Sequence, residues 1–113
     1  MVLCVRTDLK MSSGKVAAQA GHATLGAYKA ALKRNEGDVK AWSRTGQAKV
    51  ALKVASLEEL RALAEAAERA GLVNYIVVDA GRTQIEEGSE TVLAVGPAPK
   101  EAVDRVTGHL KLL

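Results

Sequence analysis

The sequence predicts an α/β fold, a three-layer α/β/α sandwich around a mixed four-stranded sheet. Apolar runs of strand length alternate with segments of helical period along the whole chain. The intervening helices are long enough to cross over a sheet and return the chain parallel to itself, whereas the link between the last two strands is tight enough for an antiparallel pair. The 113 residues make one domain, 1–113, and area scaling leaves roughly 65 % of the unfolded surface to be buried, enough for a core without staples. The 48 % apolar content is Ala, Val and Leu with no Phe, which suits close helix-on-sheet layers better than a deep aromatic cavity.

The first strand is "VLCVRTDL" (2–9), leaving through the polar loop "KMSSG". Ser12 or Ser13 can cap the following helix, "KVAAQAGHATLGAYKAALKRN", which ends in the Asn35 to Gly37 region. Its Val16, Ala20, Ala23, Ala27 and Ala31 form a stripe of mostly small side chains that lets it lie close to a sheet. A short polar helix is expected around "DVKAWSRTG" (38–46), then a half-buried strand "QAKVALKV" with apolar residues at 48, 50, 52 and 54. "SLEELRALAEAAERAG" is the clearest helix. Ser56 and Glu59 make a capping box, Leu57, Leu60, Leu63, Ala64 and Ala67 make its apolar face, and Gly71 stops it. "LVNYIVVDA" (72–80) reads as a mostly apolar strand, "EEGSE" as a turn and "TVLAVG" (91–96) as the fourth strand. Pro99 opens a last helix to Gly108, before the tail "HLKLL".

Composition narrows the function. The single cysteine, Cys4, lies in an apolar segment and reads as a small core residue, so no intrachain disulfide forms and nothing points to an oxidising compartment. No run reaches the ~18 apolar residues of a membrane span, and no targeting segment is evident, so the cytoplasm is the expected location. Residues 1–53 hold ten Lys/Arg against three Asp/Glu, while 54–113 hold six against ten. Such a lopsided field attracts polyanions, although a soluble protein can also carry one without purpose. There is no phosphate-binding glycine loop, no CxxC and no HExxH, and His22, His109 and Cys4 cannot make a metal cage. Three aromatics are too few for a base-stacking platform, which favours RNA held by its backbone. Trp42 reads first as a partly buried plug and second as a ring for a terminal base.

Two clusters carry chemistry. In the first helix Lys15, Gln19, His22, Gly26, Lys29 and Lys33 are spaced by three or four and share one face, opposite the alanine stripe. Lys29 and Lys33 alone would be an ordinary solvated face. His22, beside amide and ammonium groups, can act as a base or orient a water. The second cluster is "DAGRTQ" (79–84), directly after the apolar strand. Ligands of α/β sheets bind outside the carboxyl ends of parallel strands. If the first and third strands run parallel, Asp79, Arg82 and Thr83 share an edge with Lys15, Gln19 and His22; otherwise Asp-Ala-Gly is a turn and Arg82 a surface charge.

"VRTDLKMSSGKVAAQAGHA", "GQAKV", "DAGRTQIEEGSETVLAVGP" and "VTGHLKL" occur in the order and spacing of the archaeal and eukaryotic type of peptidyl-tRNA hydrolase, which the chain resembles over essentially its whole length. The segment from Ala30 to Thr45 is not distinctive. The resemblance is to the compact archaeal form without the membrane-targeting extension of eukaryotic members. It implies hydrolysis of the ester between a peptide and the 3′ ribose of tRNA, no metal or organic cofactor, peptidyl-tRNA as partner and a homodimer. The family's motif residues fall on Lys15, Gln19, His22, Gln47, Lys49, Asp79, Arg82, Thr83 and Gln84. With no Ser-His-Asp or Cys-His set evident, direct attack by water is the simpler chemistry. The roles expected are Asp79 and His22 activating the water, Lys15 and Thr83 stabilising the oxyanion, Gln19, Gln47 and Gln84 holding substrate, and Lys29, Lys33, Lys49 and Arg82 on phosphates.

Overall fold

The structure, a computed structural model, describes residues 1–81, 86 and 88–113. Its elements are β1 (Val2–Arg6), α1 (Ser13–Arg34), α2 (Glu36–Arg44), β2 (Val50–Val54), α3 (Leu57–Arg69), β3 (Asn74–Val78), β4 (Glu90–Val95) and α4 (Lys100–Thr107). They form a four-stranded sheet of order β2-β1-β4-β3, with β1 parallel to β2 and antiparallel to β4, and β4 antiparallel to β3. Both neighbours of β4 oppose it, so β1 and β3 point the same way. The expected mixed α/β sandwich is what forms.

Strand pleating divides the core in two. Val2 and Cys4 of β1, with Leu93 and Val95 of β4, face α3 and α4 together with Leu60, Leu63 and Val103. The alternate residues Leu3, Val5, Val92 and Ala94 face α1 with Ala23 and Ala27. Alanine at 23, 27 and 31, each fully buried, keeps α1 close to the sheet. Cys4 is buried, and burial pushes its thiol up to about 12, so it is a core residue and no nucleophile.

Local signals set the helix ends. The Ser12 hydroxyl accepts from the Lys15 N–H at 3.3 Å and caps α1; Asn35 ends α1 and begins α2. Ser56 accepts from the Glu59 N–H at 3.1 Å, but the Glu59 carboxylate reaches past the capping residue to the Ala55 N–H at 3.2 Å. The expected box is thus displaced by one residue. At its other end α3 closes with Gly71 N–H on Glu68 O and Leu72 N–H on Ala67 O, and Gly71 takes the positive φ of +73° that this closure needs.

Strand limits differ from the expectation where pairing decides them. β2 begins only at Val50, opposite Val2, because Gly46 and Gln47 turn the chain through positive φ; Ala48 and Val50 are exposed, not half-buried. β3 is an edge strand, so its apolar run is only partly covered, and Tyr75 and Val78 stay exposed. The outer edge of β2 is covered by the C-terminal tail, through Lys53 N–H on Lys111 O and Leu113 N–H on Ala51 O. No described helix is long and apolar enough to cross a membrane.

Candidate active site

Asp79 follows the last residue of β3, at the carboxyl edge that β3 shares with β1. Its backbone is clamped on both sides, with its N–H on Ser89 O at 2.8 Å and its carbonyl accepting from Gly88 N–H at 2.9 Å. Its side chain is almost wholly buried. Oδ1 accepts from the Gly81 N–H at 2.6 Å, which closes an Asx turn. The Asp-Ala-Gly turn and the site are therefore one structure.

Oδ2 of Asp79 receives two donors from α1, the Lys15 ammonium in a buried ion pair and the Gln19 Nε2 at 3.3 Å. Lys15 stands in the first turn of α1, where the helix dipole disfavours a cation, and the carboxylate answers both the ammonium and the dipole. Gln19, on the polar face of α1 as expected, is only 4 % exposed. Its amide nitrogen also donates to Thr91 Oγ1 at 3.1 Å. Gln19 thus ties α1 to the end of β3 and the start of β4.

These residues form one end of an open groove of about 640 Å³ between α1 and β3. His22 and Lys29 line its α1 side and Tyr75, Val78 and Ala80 its β3 side. His22 is exposed and hydrogen-bonds to no described residue. Gly26, a gap in the polar stripe, is where the Tyr75 ring seats; a Cβ there would come within 2.4 Å of two ring carbons. Lys33 is exposed in the last turn of α1 and does not line the groove.

Gln47 and Lys49 lie elsewhere. They precede β2 at its amino end, whereas Asp79 is at the carboxyl edge of the sheet. Both line a second groove of about 500 Å³, between α1 and α2, with Tyr28 and Trp42. Arg82, Thr83 and Gln84, expected at the site, lie outside the described residues.

Thr91 was missed by sequence reasoning. A threonine opening a β strand is so ordinary that only strand order, which inserts β4 between β1 and β3, reveals its contact with Gln19. A charged cluster beside it was missed as well. Arg6 is bidentate on Asp8 at 2.6 and 3.0 Å and donates to Glu90 O at 3.0 Å, while Arg61 grips the Glu90 carboxylate at 2.5 and 3.2 Å. These bonds hold Asp8 and Glu90 below the ordinary carboxylate range. They pin the start of β4, one residue before Thr91.

Among the described residues no group of three or more His, Cys, Asp or Glu could hold a metal. The assembled site offers an ammonium, an amide and a carboxylate at one end of a groove open to solvent, with an imidazole on its wall. It can bind a polar, electron-rich centre, place a water beside it and stabilise developing negative charge.

The profile of the family described as peptidyl-tRNA hydrolase PTH2 matches residues 1–113. The chain is 55 % identical over 113 residues to a Drosophila melanogaster protein named "Probable peptidyl-tRNA hydrolase 2", covering all of this chain and 61 % of that protein. It is 52 % identical over 112 residues to "Peptidyl-tRNA hydrolase 2, mitochondrial" of Homo sapiens, covering 99 % of this chain and 63 % of the relative. A "Peptidyl-tRNA hydrolase" of Methanopyrus kandleri is 51 % identical over 112 residues, covering 99 % of this chain and 96 % of the relative. The chain thus spans about three fifths of these eukaryotic relatives and nearly all of the archaeal one.

Proposed function

Since this chain belongs to the peptidyl-tRNA hydrolase PTH2 family, we propose that residues 1–113 act as one domain that hydrolyses the ester between a peptide and the 3′ ribose of tRNA. The observation that carries the proposal is the convergence of Lys15, Gln19 and Asp79 at the end of one groove. An ester attacked by water needs a positioned water and donors for the oxyanion, and Lys15, His22 and Asp79 in the groove are candidates for these. Asp79, with His22 on the wall, orients the water and takes its proton as oxygen attacks the carbonyl. Lys15, with Thr83, stabilises the oxyanion of the tetrahedral intermediate. Collapse of that intermediate breaks the ester C–O bond, returns a proton to the ribose oxygen and releases the peptide as its carboxylic acid. Gln19 positions the substrate and fixes the Asp79 carboxylate; Gln47 and Gln84 are read as further substrate contacts.

Lys29, Lys33, Lys49 and Arg82 bind tRNA phosphates in this reading, supported by the excess of cations in residues 1–53. The reaction is read as needing no cofactor. A homodimer in the cytoplasm is the proposed working state; the human relative's name places that protein in mitochondria, so location is tested separately, by imaging the tagged chain. Light scattering tests the dimer.

The first assay incubates the protein with N-acetyl-aminoacyl-tRNA and a chelator and follows release of free tRNA. Multiple-turnover release by wild type is expected, with Asp79→Asn slower by ~10²-fold or more. Binding without release by wild type overturns the hydrolase reading, and near-normal turnover by Asp79→Asn removes Asp79 from proton transfer.

A further inference from the structure

The groove between α1 and α2 is separate from the one that ends at Asp79 and is built differently. Two of the chain's three aromatic rings, Tyr28 and Trp42, line it. The indole is held by its Nε1–H on Ala48 O at 2.9 Å, so its plane is set before any ligand arrives. The Lys49 ammonium lies 5.1 Å from the ring centroid and donates to Gln47 O at 2.9 Å. Gln47 has a φ of +54°, costly for a residue with a Cβ, and its N–H on Trp42 O at 2.9 Å holds it there. On the α1 side Gly21 leaves the space open, with no atom within 4 Å of a Cβ built there.

We propose that this groove seats an unpaired nucleotide from the 3′ end of the tRNA, its base stacking on Trp42 where the Lys49 ammonium now lies. The proposal rests on the hydrolase reading and extends it to a second subsite. Every base has a face that stacks on an indole, and an ammonium already satisfied over that ring marks the face as accessible and electron-rich. Displaced by the base, the Lys49 ammonium is placed to pair with the nucleotide's phosphate. Leu25, half exposed, lines both grooves, so a substrate crossing α1 at Leu25 can set its ester by Asp79 and a base by Trp42. A rigid slot suits the part that all peptidyl-tRNAs share, the nucleotide end, and not a peptide whose side chains vary.

Trp42 is the chain's only tryptophan; it also borders a groove beside Val50 and Val103, so loss of the signal in Gly21→Leu is what assigns a fluorescence change to this groove. The probe is the C-C-A ribotrinucleotide, titrated into wild type, Gly21→Leu and Asp79→Asn. Leucine at 21 fills open space and replaces a helix glycine, so the variant is expected to fold, and its circular dichroism checks this. A saturable change is expected in wild type and Asp79→Asn and is lost in Gly21→Leu. With N-acetyl-aminoacyl-tRNA, Gly21→Leu is expected to raise KM about tenfold, the worth of one base–aromatic stack, with kcat little changed. Three results overturn the slot: no saturable change in wild type, an undiminished change in Gly21→Leu, or a response to an N-acetyl aromatic amino-acid amide in place of C-C-A. The two readings fail separately. Wild-type turnover without a fluorescence change overturns the slot alone, whereas a fluorescence change without turnover supports the slot and overturns the hydrolase.

Discussion

Lys15 and Asp79, separated by 64 positions in sequence, form an ion pair in which both side chains are less than a tenth exposed. A buried pair contributes little net stability, yet removing one member strands the other's charge in a low-dielectric site. Gln19 Nε2 and Gly81 N–H share the carboxylate, so the pair sits within a network that fixes its geometry.

Lys15→Met is therefore expected to destabilise the fold by about 3 kcal/mol, near the lower end of the cost of an uncompensated buried charge. Urea unfolding at neutral pH measures it. Lys15→Met combined with Asp79→Leu is expected to cost less than the two single changes together, since neither member of the pair is left without the other. Strict additivity would mean that the two residues are energetically independent.

Gly26 and Tyr75 give a prediction whose sign depends on background. In wild type, Gly26→Ala drives the new methyl into the Tyr75 ring, and the overpacking cost of about 1–3 kcal/mol outweighs the helix gain of about 1 kcal/mol. With Tyr75→Ala already present the clash is gone, and Gly26→Ala should stabilise by about 1 kcal/mol. Thermal melts of the four proteins check this; destabilisation in both backgrounds would remove Tyr75 as the reason for the glycine.

At the start of α3 the Ser56 hydroxyl satisfies an N–H that the helix cannot. Ser56→Ala is expected to cost about 1 kcal/mol, and Ser56→Asp to cost much less, because aspartate caps in the same way. Equal losses in the two variants, read from urea midpoints, would show that the hydroxyl does something other than cap.

Glu90 supplies the pH dependence. Its hydrogen bond from Arg61 holds its folded pKa below the ordinary 4.5, so the folded state takes up this proton less readily than the unfolded chain. The resulting stability is present above about pH 4.5 and is lost as pH falls through the lowered folded value. Glu90→Gln should accordingly be less stable than wild type at pH 7, with the difference shrinking at pH 3. The Arg61 side chain is 58 % exposed, so the effect is small and weakens in 1 M salt. A difference that persists unchanged at pH 3 would mean that the charge is not its source.

Local chemistry alone determined much of this protein. The Ser12 cap, the limits of α3, the alanine face of α1, the helical spacing of Lys15, Gln19 and His22 and the place of Asp79 at a strand's end all follow from periods and caps spanning a few residues. The four separated motifs carried the family in the same way. Tertiary structure decided the rest. Insertion of β4 between β1 and β3 brings Thr91 to Gln19 and leaves β3 as an edge, so that Tyr75 folds onto Gly26. The positive-φ turn at Gly46 and Gln47 carries Gln47 and Lys49 to the α1–α2 groove, away from Asp79. Periodicity says which face of an element a residue occupies, but strand order and register, set by packing across the whole sheet, say which distant residue that face will meet.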